Sequence, residues 1–82
     1  MWIVMGEVFR ERGYVGKVYP NDHAPPHVHI EKGKASIKID VINFRVISIK
    51  GDKLKSKELK VAKVLAQKYQ AMILAKWEEY FG

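Results

Sequence analysis

The side chains best suited to chemistry are concentrated in one short segment of the chain. It holds the protein's three histidines and the two carboxylates beside them: Asp22, His23, His27, His29 and Glu31. If His27 begins a β-strand, alternation places His27 and His29 on the same face, with their Cα atoms roughly 6–7 Å apart. Glu31 continues that row, and the two prolines before His27 stiffen the approach. The segment is therefore the candidate functional site.

Three kinds of role fit this cluster. Imidazole and carboxylate groups ligate zinc, manganese or iron, so His27, His29 and Asp22 could hold a divalent metal with positions left open for water. Alternatively, His23, His27 and His29 could catalyse phosphodiester cleavage without a metal, because imidazole titrates near neutrality. Asp22 and Glu31 would then orient them. In the third interpretation the histidines are structural, and Asp22 or Asn21 shapes the turn through hydrogen bonds with backbone amides. The sequence requires no cofactor.

Composition excludes several other classes of site. The chain has no cysteine, which excludes disulfides, thiolate zinc sites and thiol nucleophiles. None of the three serines has an activating context, so a nucleophilic triad is not supported. No apolar run is long enough to span a bilayer. The apolar start Met1–Met5 lacks the charged leader and the length of a signal peptide, and is predicted to be a strand or an ordered arm. These features predict a cytoplasmic protein.

The positive charge is concentrated in one stretch. The formal net charge is +6, and Lys50 to Lys68 holds seven lysines against two carboxylates, a local charge of +5. Four of the lysines are predicted to share one helix flank: Lys53, Lys57, Lys60 and Lys63. Such a flank can bind nucleic-acid phosphates without reading sequence, or an acidic protein partner. The alternative is a solvated helix face that keeps the protein soluble.

Periodicity predicts the elements that position these residues. Alternating apolar residues predict an antiparallel meander of three to four strands with one wet face. Spacings of three and four from Leu59 to Tyr80 predict one long C-terminal helix, N-capped by Ser56, which could kink near Gln67–Gln70. Together they predict one α+β domain over residues 1–82.

The aromatic residues carry two competing predictions. The C-terminal group, Trp77, Tyr80 and Phe81, is expected to cap the core, with a docking or dimerisation surface as the alternative. Three others, Tyr14, Tyr19 and Phe44, could stack on bases, but aromatic residues at strand positions more often belong to the core or its rim.

One string of residues resembles a family signature. Asn21-Asp22-His23-x-Pro25-Pro26-His27-x-His29 is followed by Glu31, Gly33, Ala35 and Ile37. This pattern resembles a family of small bacterial proteins known as domain of unknown function 4160, and the likeness runs from about Gly13 to Glu78. The resemblance implies a prokaryotic cytoplasmic protein, often encoded beside a second small domain in a pairing like a toxin–antitoxin or regulatory module. It implies no established activity.

Two functional hypotheses follow. The first is a regulatory or toxin–antitoxin-type binding module that acts through a small protein partner or nucleic acid, with homo-oligomerisation as a further option. The second is a small phosphodiester hydrolase or RNase, with or without a metal, that uses the histidine cluster. The sequence does not decide between an enzyme and a binding protein.

Overall fold

The structure, a computed structural model, describes residues 6–82 as five strands followed by two helices. The elements are β1 (Glu7–Glu11), β2 (Tyr14–Lys17), β3 (His27–Lys32), β4 (Ala35–Asp40), β5 (Val46–Lys50), α1 (Ser56–Lys68) and α2 (Gln70–Phe81). All neighbouring strands pair antiparallel in the order β1-β2-β3-β4-β5. The α+β class and the antiparallel meander are confirmed. The predicted number of strands and the single helix were wrong, and the arm Met1–Met5 lies outside the described residues.

The additional strand comes from a tight turn near the start of the chain. Arg12 and Gly13 both have positive φ, 53° and 81°, and they join Glu11 directly to Tyr14. Two consecutive positive φ values are characteristic of the two-residue hairpin turn whose twist matches that of the flanking strands. Residues 7–17 therefore form two paired strands.

The core lies between the apolar face of the sheet and the helices. Val28, Ile30, Ile37 and Ile39, on the two central strands, have no exposed surface. On the helices the fully or almost fully buried residues are Ala62, Leu65, Ala66 and Ile73. The alternation of the central strands thus places their apolar residues in one layer and their polar residues on the opposite face.

The helical segment breaks at Tyr69, inside the range where a kink was expected. Tyr69 has φ −103° and ψ 14°, outside the usual helical values. Its ring stacks on Phe9 with centroids 4.5 Å apart, and its hydroxyl donates a hydrogen bond to Glu11. Next to it, the Gln70 side chain donates to the Val41 carbonyl at 2.7 Å. These contacts therefore stabilise the break between the two helices, although no glycine or proline is present there.

The start of α1 differs from the prediction. Lys55 occupies the N-cap position, and Ser56 is the first helical residue rather than the cap. The Glu58 carboxylate accepts a hydrogen bond from the Lys55 amide at 2.9 Å, which satisfies one of the free amides at the helix start. The amide of the N-cap residue is therefore satisfied by a carboxylate in the first turn, and the predicted serine cap is not formed.

Helix α2 lies across the end of the sheet where β3 begins and β4 ends. Besides the Gln70 contact, the Trp77 ring meets the His27 ring edge-on, with centroids 5.2 Å apart. Trp77 and Tyr80 are partly buried against the core, which confirms core capping for these two, whereas Phe81 is 41 % exposed. Within residues 6–82, neither helix has the length and apolar character needed to cross a membrane.

Candidate metal centre

A turn between β2 and β3 fixes the position of Asp22. The Asp22 amide donates to the Tyr19 carbonyl at 3.1 Å, and the Tyr19 amide donates to Asp22 Oδ2 at 2.9 Å. Pro20 occupies the second position of this turn, where its fixed φ is favourable. Because Oδ2 is engaged by the turn, the other oxygen, Oδ1, is directed toward the histidines. The predicted role of Asp22 in shaping the turn is confirmed.

The first residues of β3 bring both imidazoles to this carboxylate. His27 and His29 lie on the same face, with ring centroids 5.1 Å apart. Asp22 Oδ1 lies 3.1 Å from His29 Nε2 and 3.6 Å from His27 Nε2. One ligand atom from each of the three residues lies within 4.8 Å of the other two. We call these three residues the Asp-His-His cluster.

His27 is buried with one ring nitrogen unsatisfied. Its Nδ1 lies 2.7 Å from the Pro25 carbonyl oxygen, and since a carbonyl only accepts, Nδ1 carries the proton and donates. In this tautomer Nε2 carries a lone pair when the ring is neutral. Among residues 6–82, Nε2 has no hydrogen-bond partner, because 3.6 Å to Asp22 is too long for one. A buried, unpaired acceptor costs about 1–3 kcal/mol, and here it faces a second acceptor.

The ring of His29 is held neutral and Asp22 ionised, with His29 Nε2 donating to Asp22 Oδ1 at 3.1 Å, so an ion at Nε2 would require that proton to move to Nδ1. Burial lowers the pKa of His29, and the nearby Asp22 carboxylate only partly offsets this, so the ring stays neutral at pH 7. Burial raises the pKa of Asp22, but hydrogen bonds from the Tyr19 amide and from His29 lower it by more, so the carboxylate stays ionised. A neutral imidazole and an ionised carboxylate are the ligand forms that metal coordination requires.

A cavity opens beside the cluster on the polar face of the sheet. Its volume is about 260 Å³, and its polar lining consists of Asn21, Asp22, His23, His27 and Lys38. Lys38 pairs with His29 across β3 and β4, so its side chain leaves the same face of the sheet. The cavity therefore combines the carboxylate and one imidazole of the cluster with a cation and a further histidine.

Comparison with known proteins identifies the family. The profile of the family described as "Domain of unknown function (DUF4160)" matches residues 13–78, about four fifths of the chain. The chain belongs to this family. The resemblance seen in the sequence is thereby confirmed, and the matched range contains the whole Asp-His-His cluster. No curated protein and no solved structure matches the chain. The DUF4160 assignment therefore establishes the family but no activity.

The structure gathers only part of the predicted site in this DUF4160 protein. Asp22, His27 and His29 converge, as the metal hypothesis requires. His23 is exposed and lines the cavity outside the cluster. Glu31 instead pairs with Lys17 at 3.0 Å and is not a member of the cluster, so it does not orient the histidines as predicted.

Lys38 is the residue that sequence reasoning missed, although a signal for it was present. The hairpin between β3 and β4 has Gly33 and Lys34 as its two turn residues, so Lys32 pairs with Ala35 and His29 with Lys38. A two-residue turn centred on a glycine fixes the register of the whole hairpin. Counting outward from Gly33–Lys34 places Lys38 beside the histidines.

The four lysines predicted to share one helix flank do not all lie on the same face of α1. Lys53 precedes α1, and Lys63 lies about 120° around the helix from Lys57, at 100° per residue. Lys57 and Lys60 instead border a concave region of about 320 Å³ between α1 and the β1–β2 turn. We call this the α1 groove; its lining is Glu11, Arg12, Lys57, Lys60, Val61, Val64, Leu65 and Lys68.

Proposed function

We propose that this protein binds a divalent transition-metal ion through Asp22 Oδ1, His27 Nε2 and His29 Nε2, and uses it to hydrolyse a phosphodiester. The observation that carries the proposal is the His27 Nε2 lone pair, buried without a hydrogen-bond partner among the described residues and directed at an ionised carboxylate. Two acceptors that face each other in a buried site repel, and a cation between them converts the repulsion into coordination.

The arrangement supports a metal more strongly than metal-free catalysis. In metal-free catalysis His27 Nε2 would exchange a proton directly with the substrate, but this atom is buried and faces the Asp22 carboxylate oxygen at 3.6 Å. The Pro25 carbonyl holds the opposite nitrogen, which is the usual outer-shell arrangement of metal-ligating histidines. Two imidazoles and one carboxylate suit Zn²⁺, Mn²⁺, Fe²⁺ or Co²⁺.

The surroundings of the cluster support hydrolysis. Three protein ligands leave coordination positions open, and a bound ion lowers the pKa of a coordinated water toward neutrality. Lys38 lines the same cavity and can neutralise a phosphate oxygen. Water adds to phosphorus as the bond to the leaving oxygen breaks, and that oxygen takes a proton, for which His23 is placed at the cavity lining.

Metal binding is tested by calorimetric titration with Zn²⁺, Mn²⁺ and Co²⁺ of untagged protein. We expect one ion per chain, and an affinity that falls by at least about 10-fold in His27→Gln, His29→Gln and Asp22→Asn. His23→Gln and Glu31→Gln, which change neighbouring groups outside the cluster, serve as matched controls and should bind normally. Equal affinity in all five variants would remove the basis of the proposal.

Hydrolysis is tested with bis(p-nitrophenyl) phosphate and single-stranded RNA. Activity should require the metal, disappear with a chelator, and show a raised KM in Lys38→Met but not in the control Lys34→Met, whose lysine lies in an exposed turn. If the protein binds the ion at the cluster but cleaves neither substrate, the hydrolase assignment is wrong and the metal site remains.

The regulatory or toxin–antitoxin-type binding module stays a prediction beside this proposal. Its structural support comes from a different part of the molecule, the α1 groove.

A further inference from the structure

We infer that the α1 groove is a docking site for an acidic segment of a partner protein, which places an apolar side chain in the groove and carboxylates over its rim. This inference is independent of the metal site.

The groove combines an apolar floor with a cationic rim. Val61, Val64 and Leu65 line it, and Val64 is 59 % exposed although it belongs to the helix that covers the sheet. Single exposed apolar residues are common on protein surfaces. Here, however, the exposed valine lies in a concave region beside two other aliphatic side chains, which is the arrangement that receives an apolar anchor.

The rim carries uncompensated positive charge. Within the described part of the chain, Lys57 and Lys60 take part in no ion pair. Lys68 is held by Glu11 at 2.7 Å, whereas Arg12 contacts the same carboxylate only at 3.8 Å and its side chain is 74 % exposed. Four cations therefore surround one carboxylate, and the complementary ligand is negatively charged.

The apolar floor favours a protein over a nucleic acid. Surfaces that bind single strands present aromatic rings for base stacking, and none of the aromatic residues in the described range 6–82 lines the groove. Tyr14, one of the residues that could have served this purpose, is only 5 % exposed. A lysine rim around aliphatic side chains instead matches an amphipathic segment with both acidic and apolar residues.

The charge of the chain also argues against a second copy as the occupant. At a net charge of +6, self-association through a cationic groove brings like charges together. The exposed acidic side chains of α2 are Glu78 and Glu79, and Glu79 is already paired with Lys76 at 3.2 Å.

The experiment uses a short fluorescein-labelled peptide with glutamate and leucine at helical spacing. Fluorescence anisotropy with the full-length protein should show salt-sensitive binding. A control peptide with the leucines replaced by serine should bind at least about 10-fold more weakly, because the floor would lose its anchor. Amide NMR shifts on titration should be largest at Lys57, Val61 and Val64.

Two charge-matched double variants test the position of the site. Lys57→Glu/Lys60→Glu should weaken peptide binding by at least about 10-fold. Lys53→Glu/Lys63→Glu makes the same change in net charge on residues outside the groove and should retain most of the binding. The inference is overturned if the two variants weaken binding equally, or if the peptide does not bind at all. It is also overturned if single-stranded RNA displaces the peptide with higher affinity, or if self-association of the protein blocks it.

Discussion

The Asp-His-His cluster and the α1 groove differ in how their polar groups are compensated. In the cluster, a carboxylate and two imidazoles converge within a few ångströms at a largely buried position, and one ring nitrogen of His27 has no partner among the described residues. In the groove, exposed lysine and arginine side chains surround aliphatic residues, and water solvates their charges. A buried acceptor without a donor, beside an ionised carboxylate, favours a small cation, whereas an exposed cationic rim favours a larger anionic surface.

The comparison also separates function from stability. A substitution in the cluster should affect both metal binding and folding stability, because the polar atoms are buried and removing one leaves its hydrogen-bond partner unpaired. A lysine at the rim of the groove affects binding with little consequence for folding, because exposed charges interact weakly through water.

The largest effect is expected for His27→Phe. An apolar ring of similar shape removes the unsatisfied Nε2 but leaves the Pro25 carbonyl without its donor, so the free energy of unfolding without metal should fall by no more than about 1–3 kcal/mol. The affinity for Zn²⁺ should fall by about 100-fold, since one ligand and its outer-shell contact are lost. Urea unfolding without metal and calorimetry with metal measure the two effects. A large loss of stability together with unchanged metal binding would make His27 a structural residue.

The sequence predicted the residues of this cluster but not all the contacts that bring them together. Strand alternation alone places His27 and His29 side by side. The distance from Asp22 to both rings depends on a turn in which Tyr19 and Asp22 bond to each other, and on Trp77 of a distant helix packing against His27. The turn is local, and the role of Asp22 in it was predicted, whereas a one-dimensional pattern contains no information on the Trp77 contact because it joins residues far apart in the chain.

The fold was likewise predictable where it depends on local periodicity, but not where it depends on contacts between distant residues. The alternation of β3, β4 and β5 and the apolar stripe of the helices were readable, since each repeats at a fixed period. The break at Tyr69 was predicted only as a kink, because its causes, Phe9 and Glu11, lie at the other end of the chain. Glu31 was grouped with the histidines by alternation, but it lies opposite Val15 of β2, and its carboxylate forms an ion pair with Lys17, two residues farther along that strand.

Gly16→Ala should destabilise the protein without affecting the metal site. A Cβ at position 16 would lie 2.0 Å from the Phe9 ring, so the ring must move out of its stack with Tyr69. Overpacking of this kind costs about 1–3 kcal/mol. Urea unfolding measures the loss, and Phe9→Leu in the same chain should restore part of it because the smaller side chain makes room. Additive losses in the double variant would show that the two positions do not interact.

Lys57→Glu should have a smaller effect, of the opposite sign. Lys57 lies in the first turn of α1, where the helix dipole favours a negative charge. The substitution should therefore raise the free energy of unfolding by up to about 1 kcal/mol, although it weakens binding at the groove. Lys63→Glu, farther along α1, is the control and should change stability less. A destabilised Lys57→Glu protein would mean that the rim lysines support the fold.

The smallest effect is the pH dependence of the link between Glu11 and α1. Hydrogen bonds from Lys68 and Tyr69 lower the pKa of the Glu11 carboxyl. A lowered folded-state pKa contributes stability above the unfolded-state value of about 4.3, and this contribution is lost as the pH falls through the folded-state pKa. Wild type should therefore be more stable than Glu11→Gln at pH 7, and the difference should shrink toward zero in acid. Because Glu11, Lys68 and Tyr69 meet at the surface, high salt should also reduce it. Urea unfolding of both proteins across this pH range provides the measurement. A difference that persists or grows in acid would contradict an ionic link between the hairpin and the helix.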